Sequence, residues 1–241
     1  MKKSITIIHM DQKFKPLSVS EIAQACSADP NNPSAGLVCV SNEEIRQGLD
    51  IVQRYPKKVS FFGSTRFKED HPDYIRAREL ASRLVKELDY TVVTGGGPGI
   101  MEAANRGAKE AGGHSIGLNI TLPHEQTNNP YLTVSVPFYY FFTRKVTLSF
   151  AARMYIYFPG GYGTMDEFYE ILTLVQTGKI HKVPIVCVGA DFWEAVDRDL
   201  HRNRMLNPKF MTIDPEDTTL YTITDDIGTI MEIARNAQQR V

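Results

Sequence analysis

Cysteine is scarce in this chain, tryptophan occurs once, and neither sign of charge is in surplus. Cys26, Cys39 and Cys187 are odd in number and share no CxxC spacing, which argues against a disulfide framework and against a zinc site. The 27 basic and 28 acidic residues leave a net charge of −1, so no general field draws in nucleic acid or an anionic membrane surface. No stretch approaches the ~20 apolar residues of a membrane span, and the apolar run within residues 1–10 is far too short for a signal-peptide core. A reducing, cytoplasmic compartment and small ligands are expected. The histidines form neither HxxxH nor HExxH, so no metal is expected. A GxxxxGK[ST] loop is missing, and so is GxGxxG: the sixth position after Gly95 is Ile100 and after Gly161 is Asp166. No acidic residue closes a second strand where a dinucleotide's ribose would want it. These absences disfavour NAD and a hydrolysed triphosphate and leave a mononucleotide-sized ligand.

What is present suits one α/β domain. At 241 residues and 42% hydrophobic content the chain can bury one core but not two full domains. Residues 1–56 stand apart as an N-terminal extension expected to pack on the main domain or on a partner. It holds the turn-rich stretch Asp29-Pro30-Asn31-Asn32. Ser41 followed by Glu44 resembles a capping box opening a helix through Ile45, Leu49 and Val52. No chemistry is legible there. From residue 57 to 241 short apolar strands alternate with helices: strands at 59–62, 90–94, 115–118, 154–158, 183–188 and 219–223, an extended stretch at 132–136, and helices at 72–88, 100–111, 139–152, 167–176, 192–205 and 225–239. The loop 119–130 is long enough to be a binding loop. In the helix after the second strand, Ala103, Gly107 and Ala111, with Ala104 and Ala108, leave a smooth face able to press on a sheet. The pattern predicts a Rossmann-like, doubly wound parallel sheet with helices on both faces.

The chemistry concentrates where strands break into glycine. Pro159-Gly160-Gly161-Tyr162-Gly163-Thr164 joins an apolar strand to an amphipathic helix. Such a turn aims backbone N–H groups, backed by the positive end of a helix dipole, at one point, which makes an anion seat. Gly63-Ser64-Thr65-Arg66 and Gly95-Gly96-Gly97-Pro98-Gly99 also follow strands. All three turns should share the crevice at the strands' carboxyl ends. Two glycine-rich turns plus Ser64 and Arg66 favour a phosphate-bearing ligand. Glu167, close behind the third turn, brings a carboxylate to it.

The sequence Pro159-Gly160-Gly161-Tyr162-Gly163-Thr164-Met165-Asp166-Glu167, preceded by Arg144-Lys145, resembles the PGGxGTxxE and RK pairing of the LONELY GUY (LOG) family of phosphoribohydrolases, often misnamed lysine decarboxylases. The likeness runs over residues 57–205. It implies hydrolysis of the N-glycosidic bond of a nucleoside 5′-monophosphate, AMP-like or a cytokinin riboside monophosphate, to free base and ribose 5-phosphate, without metal or organic cofactor. Position by position, it implies Arg144 and Glu167 as the catalytic pair. Substrate contacts are implied for Lys145, Gly160 through Thr164 and Thr173, and for Glu125 in a stretch similar to the family's MPRE. Gly63, Ser64, Gly96, Gly97 and Glu102 join them as candidate binding residues in or beside the glycine turns. A homodimer or higher homo-oligomer is implied as well. Glu102 stands where plant-type members have glycine, and Phe141-Phe142-Thr143 replaces their Met-His lead-in. Both features are similar to the broader bacterial branch and widen the substrates to purine and pyrimidine monophosphates.

Each assignment has a plainer counterpart. Thr164 to Glu167 is also a TxxE capping box, and a cap and a catalytic carboxylate can be the same residue. Chemically, a carboxylate near the anomeric carbon can steady an oxocarbenium-like sugar. Arg144, whose pKa lies above ~12, can clamp phosphate or the departing base but cannot shuttle protons. Lys145 reads alternatively as a Schiff-base lysine, Glu102 as a surface residue, and the aromatic run 138–142 as core or subunit interface. The same fold also resembles carriers of molybdenum cofactor, so a binding protein without turnover is the rival from another class.

Overall fold

The computed structural model describes residues 16–26, 33–121 and 128–237. Seven strands form one parallel sheet: β1 (Lys58–Phe62), β2 (Thr91–Thr94), β3 (Ser115–Ile120), β4 (Val134–Phe138), β5 (Met154–Tyr157), β6 (Ile185–Cys187) and β7 (Thr222–Ile223). Their spatial order is β4-β3-β2-β1-β5-β6-β7. The order reverses at β1, so the crevice between β1 and β5 is the switch point at which such sheets bind ligands.

Both faces of the sheet are covered, because alternate residues of each strand point to opposite sides. On β1 and β5, Val59, Phe61, Met154 and Ile156 enter the core beneath α3 (Pro72–Leu88), α4 (Ile100–Glu110) and α8 (Ile227–Asn236). Phe62, Tyr155 and Tyr157 enter the other, beneath α2 (Pro33–Gln53), α5 (Phe141–Phe150), α6 (Tyr162–Gln176) and α7 (Ala190–Val196). The smooth face of α4 meets a helix more closely than the sheet: a Cβ on Gly107 would fall 2.1 Å from the Arg78 carbonyl oxygen of α3. Gly178, at φ +67°, follows the end of α6 as a left-handed C′ glycine should. No helix among the described residues is long and apolar enough to cross a membrane.

Several expectations are corrected. The helix of the extension starts earlier than the apparent capping box implies. After α1 (Val19–Ala25), α2 runs for 21 residues, and Ser41 and Glu44 lie inside it. Ser41 Oγ returns to the Leu37 carbonyl at 2.7 Å instead of capping a start. The cysteines are not all unpaired: Cys26 and Cys39 form a disulfide across 13 residues, with Cα atoms 5.6 Å apart. Cys26 ends α1 and Cys39 lies in α2, so the pair meets only because α1 folds back on α2, which a CxxC test does not detect. Cys187 is free and buried. At the other end, α7 passes into a π-helical stretch, Asp197–Met205. The strand expected over 219–223 shrinks to β7, because Pro215–Thr219 winds as a 3-10 turn behind its own capping box.

Candidate active site

The three glycine turns are stitched together by backbone hydrogen bonds at the carboxyl ends of β1, β2 and β5. Ser64 N donates to the Pro159 carbonyl at 2.9 Å, and Ile100 N donates to the Ser64 carbonyl at 3.0 Å. The second turn needs glycine, since Gly96 and Gly99 have φ of +73° and +71°. A Cβ on Gly99 would fall 2.2 Å from the Ser64 carbonyl oxygen. The third turn is packed as tightly from inside. Thr164 is buried, and its Oγ1 lies 2.2 Å from where a Gly160 Cβ would stand.

The first and third turns open onto a cavity of about 830 Å³, the size of a small-molecule site. Gly63, Ser64, Arg144, Gly160, Gly161, Tyr162, Gly163, Thr164 and Glu167 all line it. Phe67, Met101, Phe141 and Phe192 supply apolar wall. The N-terminus of α6 faces this space, and no side chain among the described residues caps it. A helix start left open in a polar cleft is suited to an anion.

Glu167 is therefore not a cap. The helix begins at Tyr162, two residues before the Thr164 of the apparent TxxE box, which puts Glu167 in its second turn. Strand β5 fixes its backbone, because the buried Tyr157 hydroxyl donates to the Glu167 carbonyl at 3.0 Å. The Arg144 guanidinium approaches from α5, with Nη1 3.8 Å from Glu167 Oε1, and both residues are 9% exposed. Arg144 Nε donates to the Leu118 carbonyl of β3 at 2.8 Å, and its Nη2 lies 2.3 Å from where a Gly95 Cβ would be. Gly95 thus makes room for the arginine. Burial pushes the Glu167 carboxyl above its ordinary value, opposed by Arg144. The same burial draws the Arg144 guanidinium down, opposed by Glu167. Arg144 starts so high that it remains a cation.

Other candidates sit elsewhere. Gly96 and Gly97 are buried behind the cavity, their carbonyls held by Asn129 Nδ2 at 3.1 and 3.0 Å. Asn129 also reaches Asn105, which accepts from Thr94, and Thr94 accepts from Gly96 N. This buried polar network shapes the second turn. Sequence reasoning passed over it, although Asn105 inside an alanine-rich helix was the visible signal. Glu102 faces α3 and accepts from the Tyr74 hydroxyl at 3.0 Å. Lys145 points to the outside of α6, 2.9 Å from Asp166 and 3.4 Å from Glu170, and shares a shallow hollow there with Tyr162 and Thr173. Glu125 lies outside the described residues.

A family model described as possible lysine decarboxylase matches residues 101–233. Over 147 residues the chain is 31% identical to cytokinin riboside 5′-monophosphate phosphoribohydrolase LOG5 of Arabidopsis thaliana, a match covering 59% of this chain and 63% of that protein. The chain thus spans less than two thirds of that relative's length. The X-ray structure of TM1055, a structural genomics target, superposes with a TM-score of 0.53 at 26% identity, over 73% of this chain and 97% of that one. The molybdenum cofactor binding protein of Rippkaea orientalis superposes with a TM-score of 0.54 over 75% of this chain and 95% of its own. At 18% identity that second likeness concerns the fold alone.

Proposed function

The chain belongs to the family described as possible lysine decarboxylase, the LOG family, and from that premise we propose that it hydrolyses the N-glycosidic bond of nucleoside 5′-monophosphates, releasing free base and ribose 5-phosphate. The observation that carries this reading is the buried Arg144–Glu167 pair, 3.8 Å apart, in a cleft that also holds the open N-terminus of α6. The helix terminus and its glycines receive the 5′-phosphate. Phe67, Met101, Phe141 and Phe192 offer an apolar bed to the base. Glu167 then stands by the anomeric carbon. As the bond from that carbon to the base nitrogen breaks, the sugar gains oxocarbenium character and the carboxylate steadies it. Water attacks the same carbon, and the proton it gives up ends on the departing base. Arg144 keeps Glu167 oriented and partly offsets the cost of its burial.

Decarboxylation of lysine is poorly supported by the same cleft. Among the described residues no lysine lines it, and Lys145 is engaged by Asp166 and Glu170 outside. That outer face has a second meaning in this proposal. Tyr162, on its rim, is 98% exposed, and Phe142, one turn before Lys145 on α5, is half exposed. A second copy packed there would cover these aromatics and close the hollow holding Lys145 and Thr173, making the protein a homodimer. A cytosolic place of action belongs to the same reading.

The test is incubation of the purified protein with AMP, GMP, CMP and UMP, with cytokinin riboside monophosphate as a fifth substrate, and assay for free base. Release of base that disappears in Glu167→Gln is expected. No release from any of the five, or full activity in that variant, sinks the proposal, and stoichiometric retention of intact nucleotide would favour a carrier instead.

A further inference from the structure

Glu44 looked like part of a capping box at the start of its own helix. It anchors the entry of a different helix instead. Its side chain is buried, with the residue 1% exposed, and it reaches from α2 to the start of α5. There Oε1 accepts from Tyr139 N at 2.5 Å, while Oε2 accepts from Tyr140 N at 3.4 Å and from Thr143 Oγ1 at 2.6 Å. Helix α5 has no side-chain cap of its own, since its N-cap residue is Tyr140. A carboxylate from almost a hundred residues away serves the amides around its start and opposes its dipole.

One turn along the same face of α2, Gly48 makes a second, independent contact. A Cβ there would fall 2.5 Å from Thr147 Oγ1 of α5 and 2.8 Å from the Phe138 ring. Helix α2 therefore holds α5 at two points, the Glu44 carboxyl before Arg144 and the Gly48 backbone against the Thr147 side chain after it. Because Thr143 and Thr147 face α2, Arg144, one position past Thr143, is turned toward β3 and Glu167. The azimuth of α5 fixes where its guanidinium lies. On a helix with a Cα radius of about 2.3 Å, a side chain as long as arginine carries its head several ångströms from the axis, so a rotation of about 10° moves it by about 1 Å.

We infer that Glu44 is a positioning residue of the active site: by tying down the entry of α5 at Tyr139, Tyr140 and Thr143 it sets the Arg144 guanidinium against Glu167, and the N-terminal extension is thereby part of the catalytic apparatus. The inference rests on the hydrolase reading above for its kinetic consequence but not for its structural one. A misplacement of about 1 Å can cost on the order of 10²-fold in rate. Glu44→Gln is expected to lower kcat ten- to a hundredfold, with KM within about threefold because the phosphate cradle is untouched, and Glu44→Asp is expected to recover part of the loss. In an Arg144→Met background Glu44→Gln should have little further effect, whereas a purely structural loss would repeat there.

The readout independent of turnover is the Arg144 Nε–H resonance in ¹⁵N NMR. Held by Leu118, it should exchange slowly in the native protein and at least tenfold faster in folded Glu44→Gln. If Glu44→Gln does not fold, Glu44→Asp and Gly48→Ala carry both measurements. Unchanged exchange of that proton in a folded variant, unchanged kcat, or equal losses with and without Arg144 would overturn the inference. A native protein that releases no base from any nucleotide would overturn the hydrolase reading instead, and Nε–H exchange would still decide the role of Glu44.

Discussion

Replacing Glu167 by glutamine keeps the volume and removes the charge, so it separates what the carboxylate does from the space it fills. Its partner cation is Arg144, at 3.8 Å. At that separation and an effective dielectric constant of about 20, two unit charges interact by about 4 kcal/mol. A positive charge developing on a sugar in the same cleft would feel an attraction of similar order. Removing one preorganised electrostatic partner of a transition state costs about 2.7–4 kcal/mol, or 10²–10³ in kcat. Stability should respond differently. Burial outweighs Arg144 in setting the Glu167 pKa, so the ionised carboxylate is held at a cost in the folded protein. A neutral isostere relieves that cost while leaving Arg144 its bond to Leu118. The expected result is a 10²–10³-fold fall in base release with a melting temperature unchanged within about 2 °C or slightly raised, roughly 1 kcal/mol or less for a chain of this size. Base release and thermal unfolding measured on one preparation check it. Activity that survives, or a melting temperature that drops by several degrees alongside activity, would make Glu167 a brace and refute the reasoning.

Base release should rise with pH on an acid limb whose midpoint lies above 4.5, since burial raises the Glu167 carboxyl. In Arg144→Met that midpoint should move higher, because the lowering partner is gone, and kcat followed from pH 4 to 8 reads both. The same raised pKa gives a contribution to stability that is complete below the unfolded value and lost as pH rises through the folded one. Gly99→Ala should cost at least about 2 kcal/mol in denaturant unfolding, because φ of +71° and a carbonyl 2.2 Å away both refuse a side chain. It should abolish base release as well. Cys26→Ser should lose about 3 kcal/mol under oxidising conditions, the figure for closing a loop of about this length. Thermal melts of the two proteins should converge in dithiothreitol, and thiol trapping in acid-quenched cells would show which form the protein holds there.

Much of the scaffold was legible because it is written locally. Pro72 at a helix start and the end at Leu88 gave α3 its bounds. The apolar strands beside glycines gave the sheet and the three turns that meet at its carboxyl edge. What escaped was set by partners distant in sequence. Gly36, Gly48 and several β-branched residues hide a 21-residue helix whose stability comes from lying on α5. The glycines of PGGYGT disguised a helix that begins inside them, so Thr164–Glu167 passed for a cap. Lys145 stands next to Arg144, yet one residue of helix turns its side chain from the cavity to the outer face. A single sequence gives residue spacing but not the azimuth of a helix.

The position of β1 also bears on how the chain is made. In the finished sheet it is an interior strand, paired with β2 on one side and β5 on the other. During synthesis its first neighbour, ending at Thr94, emerges long before its second, which ends at Tyr157. At about 5–20 residues per second the gap is roughly 3–13 s. Throughout that interval the strand carrying Val59, Phe61 and Phe62 presents an unpaired edge, a template for wrong pairing. Arg144 and Glu167 leave the ribosome within a few seconds of the strand that closes that edge, so the covering of the central strand and the meeting of the buried ion pair fall almost in one step.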